Sequence, residues 1–197
     1  MAEGRATMGT GPLSDSRRRR SNRAPALPSS SVNSSEPSHI PPIAQDPLAL
    51  DPTIHDKLFA DLAVATFHEL LRLRIDVFVV EQTCAYPELD GRDTEPETRH
   101  VWLDGPDGRP VASIRILAEP DRSHRISRVV TRVEARGAGL AGVVLDHVHA
   151  TTPGRLVLDA QTYLVPWYES QGYEPTGDEF LEDGIPHVPM AREGTQA

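Results

Sequence analysis

Apolar residues recur at helical spacing in the segment that follows Thr66. They fall on one face of a helix together with an arginine: Phe67, Leu70, Leu71, Arg74, Val77 and Phe78. Thr66 and Glu69 also match a capping box, in which the first side chain caps the helix and the second reaches back. The pattern therefore predicts an amphipathic helix over about 67–80. Three polar insertions are many for a purely structural helix: Arg72, Arg74 and Asp76.

Strand patterns come next. The apolar runs 100–103 and 111–117 flank a Gly- and Pro-rich turn at 104–108, which predicts a β-hairpin. Residues 125–131 predict a third strand. The rest of the chain then predicts, in order, a loop at Gly137 and Gly139, a helix from Leu140, a buried strand at 156–158, a helix at 166–171 ended by Gly172, and closing strands at 173–180 and 187–191. This order indicates an α/β fold, a mixed sheet covered by helices.

Composition divides the chain into two parts. Residues 1–50 are rich in Ser, Pro and Arg, include the run 17–20 of four arginines, and predict a disordered tail. They contain 6 Arg and 4 acids, a net charge of +2, whereas residues 51–197 contain 14 basic and 25 acidic residues, a net charge of −11. An acidic domain repels nucleic acid and favours small cationic partners.

Several classes of protein are excluded. Cys84 is the single cysteine, so an intramolecular disulfide and a Cys-rich zinc site are both ruled out. No apolar run of about 18 residues is present and the N-terminus has no apolar signal region, so we expect a cytoplasmic protein without membrane contact. His147 and His149 stand at i and i+2, which do not share a helix face, so we expect no metal site there.

The segment 136–141, Arg-Gly-Ala-Gly-Leu-Ala, lies between a predicted strand and a predicted helix. Glycines let backbone N–H groups converge, and the N-terminus of a helix adds partial positive charge, which together suit a pyrophosphate. The segment lacks the lysine of a Walker loop and the third glycine of a dinucleotide fingerprint.

A second motif is the aromatic-rich segment 167–173. Trp167 and Tyr173 have the spacing of core residues, and we expect both to pack against the sheet. Tyr168 is a candidate proton donor if it faces a thiol, because a phenol can donate a proton to a leaving thiolate.

Together the two motifs resemble the GNAT acyltransferase superfamily. Its phosphate loop, Arg/Gln-x-x-Gly-x-Gly/Ala, is matched by Arg136, Gly139 and Ala141, and its aromatic-Tyr-x-x-x-Gly-aromatic pattern is matched by 167–173. Ala138 departs from the family, where a basic residue is frequent, so phosphate binding depends more on Arg136. The match to the ElaA-like branch extends over about 66–192, in five separated segments: 73–74, 77–82, 90–91, 99–100 and 182–187.

The resemblance implies the GNAT fold, a mixed and mostly antiparallel sheet flanked by helices, for residues 51–197. It implies acetyl-CoA as co-substrate and direct transfer of the acetyl group to a small acceptor, an amine, by a monomer or homodimer. The implied contacts to acetyl-CoA are Val129, Val130 and Thr131 for the pantetheine arm, and Arg136, Gly137, Ala138, Gly139, Leu140 and Ala141 for the phosphates.

In the implied mechanism, a backbone N–H of Val129 or a neighbour holds the oxyanion, and Tyr168 protonates the thiolate. An ammonium acceptor must first lose a proton, and the candidate bases are His187, Glu81 and Glu182. His187 ranks first because histidine is the side-chain type suited to proton transfer near neutral pH, and the two glutamates can instead attract a cationic acceptor. An acidic loop carries Asp90, Asp93, Glu95 and Glu97 without a calcium-loop pattern, so we expect it to be solvated.

Two alternatives stay open. The first is an acyltransferase like the acyl-homoserine-lactone synthases, which share the GNAT fold and use acyl carrier protein; the acidic domain argues against the basic docking face that this requires. The second is a non-catalytic module that binds acyl-CoA for regulation. Cys84 as a covalent nucleophile has no base at a recognisable spacing, and we expect a small half-buried residue.

Overall fold

The structure is a computed structural model that describes residues 53–84 and 86–194. The predicted tail, residues 1–50, lies outside the described residues. Eight strands are described: β1 (Ile54–Leu58), β2 (Arg99–Asp104), β3 (Pro110–Ala118), β4 (His124–Thr131), β5 (Arg155–Gln161), β6 (Glu174–Pro175), β7 (Phe180–Glu182) and β8 (Ile185–Glu193). Three α-helices accompany them: α1 (Val64–Arg74), α2 (Leu140–Thr151) and α3 (Val165–Ser170).

The strands form one mixed sheet in the order β1-β2-β3-β4-β5-β8-β6, with β7 paired to β8. All described pairings are antiparallel except that of β4 with β5, which is parallel. The predicted mixed, mostly antiparallel sheet is therefore confirmed. The single parallel pair requires a crossover, and α2 supplies it.

Helices cover both faces of the sheet. Helix α2 buries Val144, Leu145 and Val148 in the main core, against the inward residues of β2, β3 and β5. Helix α1 and its continuation bury Leu73 and Val77 in a second, smaller cluster with Val130 of β4. Strand β4 therefore lies between the two cores, and its side chains contribute to both.

The predicted capping box is wrong. Helix α1 begins at Val64 with Ala63 as its N-cap, so Thr66 lies inside the first turn, and the cap makes no side-chain hydrogen bond. Phe67 packs edge to face on Phe59 of the preceding turn, with ring centroids 5.1 Å apart. Packing against the incoming chain therefore favours the earlier start over the local capping pattern.

The C-terminal half of the predicted helix has a different geometry. After α1 the chain continues as a π-helix over Ile75–Glu81. Helices of this type are rare and occur frequently at functional sites. Here the π-helix carries Glu81 to the edge of the sheet where β4 ends.

Two further differences concern strands. Strand β1 has no counterpart among the predicted strands, since its pattern Ile-His-Asp-Lys-Leu has few apolar residues. The predicted strand 173–180 is two short strands, β6 and β7, which both pair with β8. Within the described residues no helix is both long and apolar enough to cross a bilayer.

Candidate active site

A gap opens between the two parallel strands. Strand β4 pairs with β5 only at His124–Leu156 and Arg125–Val157, although β4 runs on to Thr131 and β5 to Gln161. Their carboxyl ends therefore separate, and the backbone of β4 facing the gap has no strand partner along 126–131 in the described chain. Unpaired backbone groups need another partner, which a ligand or water can supply.

The glycine loop lies at the β4 side of this gap. Gly137 and Gly139 have φ values of 78° and 75°, a left-handed backbone that glycine adopts readily. A Cβ placed on either glycine would meet no atom within 4 Å, so the space in front of the loop is open. Gly139 is the N-cap of α2, so the first N–H groups of that helix and its dipole are directed to the same open space. The loop has the shape and polarity of an anion site.

Arg136 is already engaged within the protein. Its Nη1 and Nη2 each donate to the Glu81 carboxylate at 2.7 Å, and its Nε donates to the Thr131 carbonyl oxygen at 3.2 Å. The hydrogen bonds from Arg136 lower the pKa of Glu81. Glu81 is therefore a weak proton acceptor in this arrangement, and an anion at the loop must compete with it for Arg136.

Tyr168 lies on the other side of the gap, on the helix that follows β5. Its side chain is buried at 5% exposure, packed edge to face on Tyr173 and Trp167. Burial raises the pKa of Tyr168, so the phenol stays protonated at neutral pH. Tyr173 and Trp167 pack against the main core, as predicted. The Tyr173 hydroxyl contacts His149 Nε2 at 3.2 Å. Some buried side-chain atoms of the described residues lack a hydrogen-bond partner, and the Tyr168 hydroxyl is not one of them.

A β-bulge interrupts β4 beside the gap. Ser113 and Arg115 of β3 pair with Val130 and Ser127, so two residues of β4, 128 and 129, stand opposite one residue of β3. Arg128 has φ of 53°, a left-handed conformation that costs a non-glycine residue about 1–3 kcal/mol. The candidate contacts to pantetheine, Val129 to Thr131, therefore begin at a strained bulge.

The remaining candidate bases reach the same edge by different routes. His187 pairs in register with Gln161 at the carboxyl end of β5 and is 9% exposed. Its Nδ1 donates to the Ile185 carbonyl oxygen at 2.9 Å, which leaves Nε2 as the acceptor of a neutral ring. Glu182 is exposed at the end of β7. Cys84 is half-buried; burial, Asp183 and Glu182 raise its pKa, so it is not an activated nucleophile.

On the α1 side of the sheet lies a group of mostly buried charges, here termed the ion network: Arg74, Glu88, Asp90, Asp93, Arg115 and Arg128. Four members are buried, whereas the Asp90 and Arg128 side chains are 28% and 18% exposed. Arg74 contacts Glu88 and donates to both carboxylate oxygens of Asp93 at 2.7 and 3.2 Å. Arg115 donates to both oxygens of Asp90 at 2.8 and 2.7 Å. Three cations and three anions therefore balance in a region where unpaired charge is costly.

The expectation of a solvated acidic loop is wrong for Asp93, whereas Asp90 and Glu97 are exposed. Asp93 is 3% exposed and Glu88 is 5% exposed. Burial opposes the ionisation of Asp93, but the hydrogen bonds from Arg74 outweigh it and hold the pKa of Asp93 below its usual range. Glu95 does lie nearer the surface, where it pairs with Arg92.

Glu88, Arg115 and Arg128 were not identified from the sequence. One signal was available, since Arg115 interrupts the apolar run 111–117, and an arginine in a buried strand requires an acidic partner. His147 and His149 have separate partners, Asp56 and Tyr173. Among the described residues no group of three or more His, Cys, Asp or Glu side chains has metal-binding geometry.

Comparison of the sequence with known proteins finds the same family that the two motifs resemble. A family model described as an acetyltransferase (GNAT) domain matches residues 74–193. The UPF0039 protein of Mycobacterium tuberculosis is 48% identical over 141 residues, which cover 68% of this chain and 89% of the relative. Protein ElaA of Escherichia coli is 37% identical over 145 residues, covering 70% of this chain and 94% of ElaA.

Solved structures share the fold. An acyl-CoA N-acyltransferase from Pseudomonas aeruginosa superposes with a TM-score of 0.66 at 35% identity, over 72% of this chain and 99% of that one. Escherichia coli ElaA gives a TM-score of 0.66 at 34% identity with the same coverage. A CoA-dependent acyl-homoserine lactone synthase solved with isopentyl-CoA gives 0.62 at 17% identity, over 73% of this chain and 84% of that one, a likeness of fold alone.

Proposed function

The chain belongs to the GNAT acetyltransferase family, and we propose that it transfers an acetyl group from acetyl-CoA directly to a small acceptor that carries an amine. The observation that carries this proposal is the gap between β4 and β5. It is bordered on one side by the glycine loop at the start of α2 and on the other by α3, the helix that holds Tyr168.

The glycine loop and the β4 backbone bind different parts of acetyl-CoA. The N–H groups at the start of α2 and the loop at Gly137 and Gly139 hold the pyrophosphate, with Arg136 as an added cation once Glu81 has been displaced. The β4 backbone from Val129 to Thr131, which has no strand partner on its gap side, binds the pantetheine arm by hydrogen bonds. Acetyl-CoA is thereby fixed with its thioester between β4 and Tyr168.

The transfer then needs an acceptor for negative charge and a donor for a proton. The neutral amine attacks the thioester carbonyl, and a backbone N–H of Val129 or a neighbour stabilises the oxyanion. As the carbon–sulfur bond breaks, the Tyr168 hydroxyl donates its proton to the thiolate. Burial raises the pKa of Tyr168, which keeps the phenol protonated at neutral pH, as a proton donor requires, and at the same time makes it a weaker acid.

The acceptor ammonium must lose a proton before it attacks. His187 is the proposed proton acceptor, because Nδ1 is occupied by the Ile185 carbonyl and Nε2 keeps its lone pair. Glu81 is bound to Arg136 and is therefore less suited to the task. Glu182, exposed beside Asp183 at the β7–β8 turn, is proposed to attract the cationic acceptor.

Calorimetric titration with acetyl-CoA, followed by a thiol-release assay over a panel of small amines, tests the proposal. We expect binding and amine-dependent CoA release. Binding without release for every amine would favour the non-catalytic module, and failure to bind acetyl-CoA would contradict the proposal. The same assay with acyl-CoAs of increasing length tests the acetyl group itself, since one structural neighbour was solved with isopentyl-CoA.

A further inference from the structure

The bulge in β4 has an arginine where a glycine is expected. In bulges whose first residue is left-handed, that residue is usually glycine. Here it is Arg128, with φ of 53°, immediately before the backbone that borders the gap. A strained residue of this kind persists only where its surroundings hold it in place.

The surroundings of Arg128 are well defined. Its Nε lies 2.9 Å from Glu88 Oε2, an ion-pair contact without the alignment of a hydrogen bond. Its Nη2 donates to the Glu88 carbonyl oxygen at 3.3 Å and to Asp90 Oδ2 at 3.4 Å. The guanidinium also stacks over the Tyr86 ring at 5.1 Å from the centroid. The side chain is only 18% exposed, so these contacts are partly shielded from water and from salt.

The partners of Arg128 are themselves held from the other side. Glu88 is bound by Arg74 of α1, and Asp90 is bound through both oxygens by Arg115 of β3. The guanidinium of Arg128 is therefore attached to a charge-balanced group that spans α1, β3 and the segment 86–93. Such a group has few alternative arrangements, because moving one member leaves a buried charge unpaired.

We infer that Arg128 is a positioning residue for acyl transfer: its contacts with Glu88 and Asp90 fix the β4 bulge and with it the direction of the backbone groups at Val129 and Val130. This inference rests on the proposed function. Donors of an oxyanion site act through their fixed orientation, so a bulge free to change its backbone angles would stabilise the oxyanion less.

Arg128→Gly separates the side chain from the backbone. Glycine adopts the left-handed conformation without strain, so a position that requires only its φ value would keep full activity as glycine. A position that requires the side-chain contacts loses activity. We expect turnover to fall about 10-fold or more, below the ~10²–10³-fold effect of deleting an oxyanion donor. Acetyl-CoA affinity should fall by no more than about 3-fold, because the pyrophosphate contacts lie on the glycine loop and only the pantetheine contacts begin at the bulge.

Hydrogen exchange at the amides of 126–131 provides a readout that does not depend on activity. In Arg128→Gly these amides should exchange about 10-fold faster than in the wild type, because the bulge opens locally. The matched control is Arg125→Ala on the same strand, which removes ion pairs to Glu119 and Asp159 at the paired end of β4. We expect the control to leave turnover and exchange at 128–131 near wild-type values.

The outcomes are distinct. Unchanged exchange, or wild-type turnover, in Arg128→Gly would overturn the inference. An inactive wild type would contradict the proposed function and, with it, the role of Arg128 in acyl transfer; exchange that still depends on Arg128 would then support only its fixing of the β4 bulge. If Arg128→Gly does not fold, Arg128→Lys keeps the charge without the planar fork, and its turnover must then be reduced at unchanged acetyl-CoA affinity; equal turnover would overturn the inference.

Discussion

Polar groups on the two sides of β4 differ in how they are paired and in how exposed they are. On the α1 side, the ion network pairs three arginines with three acids, and Arg74, Arg115 and Asp93 are each 3% exposed or less. On the other side, the strand parts from β5, Gly137 and Gly139 face open space, and Arg136 is held by Glu81 in an exposed ion pair.

The difference shows where polar groups need a partner within the chain. Arg74, Glu88, Asp93 and Arg115 of the ion network are buried, so each charge must be matched within the chain, and losing one partner is costly. A group at the gap can be satisfied by solvent or by a ligand, so its internal contacts are weak and replaceable. Stability should therefore depend mainly on the first region, and ligand binding mainly on the second.

The largest expected effect would break the ion network. Arg74→Leu leaves Glu88 and Asp93 buried without their main cation, and the free energy of unfolding should fall by about 3–5 kcal/mol in urea titrations. Arg72→Leu is the matched control on the same helix, since Arg72 is 41% exposed and pairs with Glu69 at the surface. Its effect should stay below about 1 kcal/mol. Equal losses in both variants would contradict the contrast drawn between buried and exposed pairs.

At the gap, Tyr168→Phe should affect rate and not stability. Removing the proton donor should lower turnover at saturating substrates by about 10²-fold, the lower end for general acid catalysis if water substitutes. The melting temperature should hardly change, because the ring and its packing remain. Tyr173→Phe is the control: it removes the contact with His149, so it should cost about 1 kcal/mol of stability and leave turnover unchanged. Wild-type turnover in the Tyr168 variant would end the general-acid assignment.

Acetyl-CoA affinity should respond in both directions at the Arg136–Glu81 pair. Arg136→Ala should weaken binding by about 1–3 kcal/mol, the range for a charge-assisted hydrogen bond. Gly139→Val should also weaken it, since the φ of 75° strains any side chain there. Glu81→Gln should tighten binding slightly, because Arg136 no longer has a charged competitor. Titration calorimetry measures all three, and a Glu81→Gln variant that binds more weakly would show that the pair supports the loop instead.

The smallest expected effect is on the pH dependence of stability. Burial lowers the pKa of His149 to about 4, from its ordinary value of 6.5. Burial also lowers the pKa of His100 beside the ion network. A histidine with a lowered pKa favours folding fully above pH 6.5 and loses that contribution as the pH falls towards about 4. His149 faces Tyr173, Arg192 and Asp146, whereas His100 lies beside the ion network, so two separate sites contribute to this slope.

Thermal melting between pH 7.5 and 4.5 measures the slope, which for one histidine is below about 1.4 kcal/mol per pH unit. His149→Gln and His100→Gln should each flatten part of it. If the melting temperature of a variant falls with pH as steeply as that of the wild type, the replaced histidine does not contribute to the slope.

The sequence by itself determined the order of the elements and the position of the glycine loop. Strands 2 to 5, the helix after Gly139 and the helix that carries Tyr168 follow from local periodicity and from glycines at their ends, which act over a few residues. The resemblance carried by 136–141 and 167–173 likewise needs only neighbouring residues. The family assignment was therefore available before the fold was known.

Tertiary structure decided what depends on distant partners. The start of α1 follows the packing of Phe67 on Phe59 and not the capping pattern at Thr66. Asp93 is buried because Arg74, 19 residues earlier in the chain, reaches it, and Glu81 is occupied because Arg136, 55 residues later, binds it. Local propensities do not encode such pairs, since a charge is worth burying only where folding has already brought its counterion within reach.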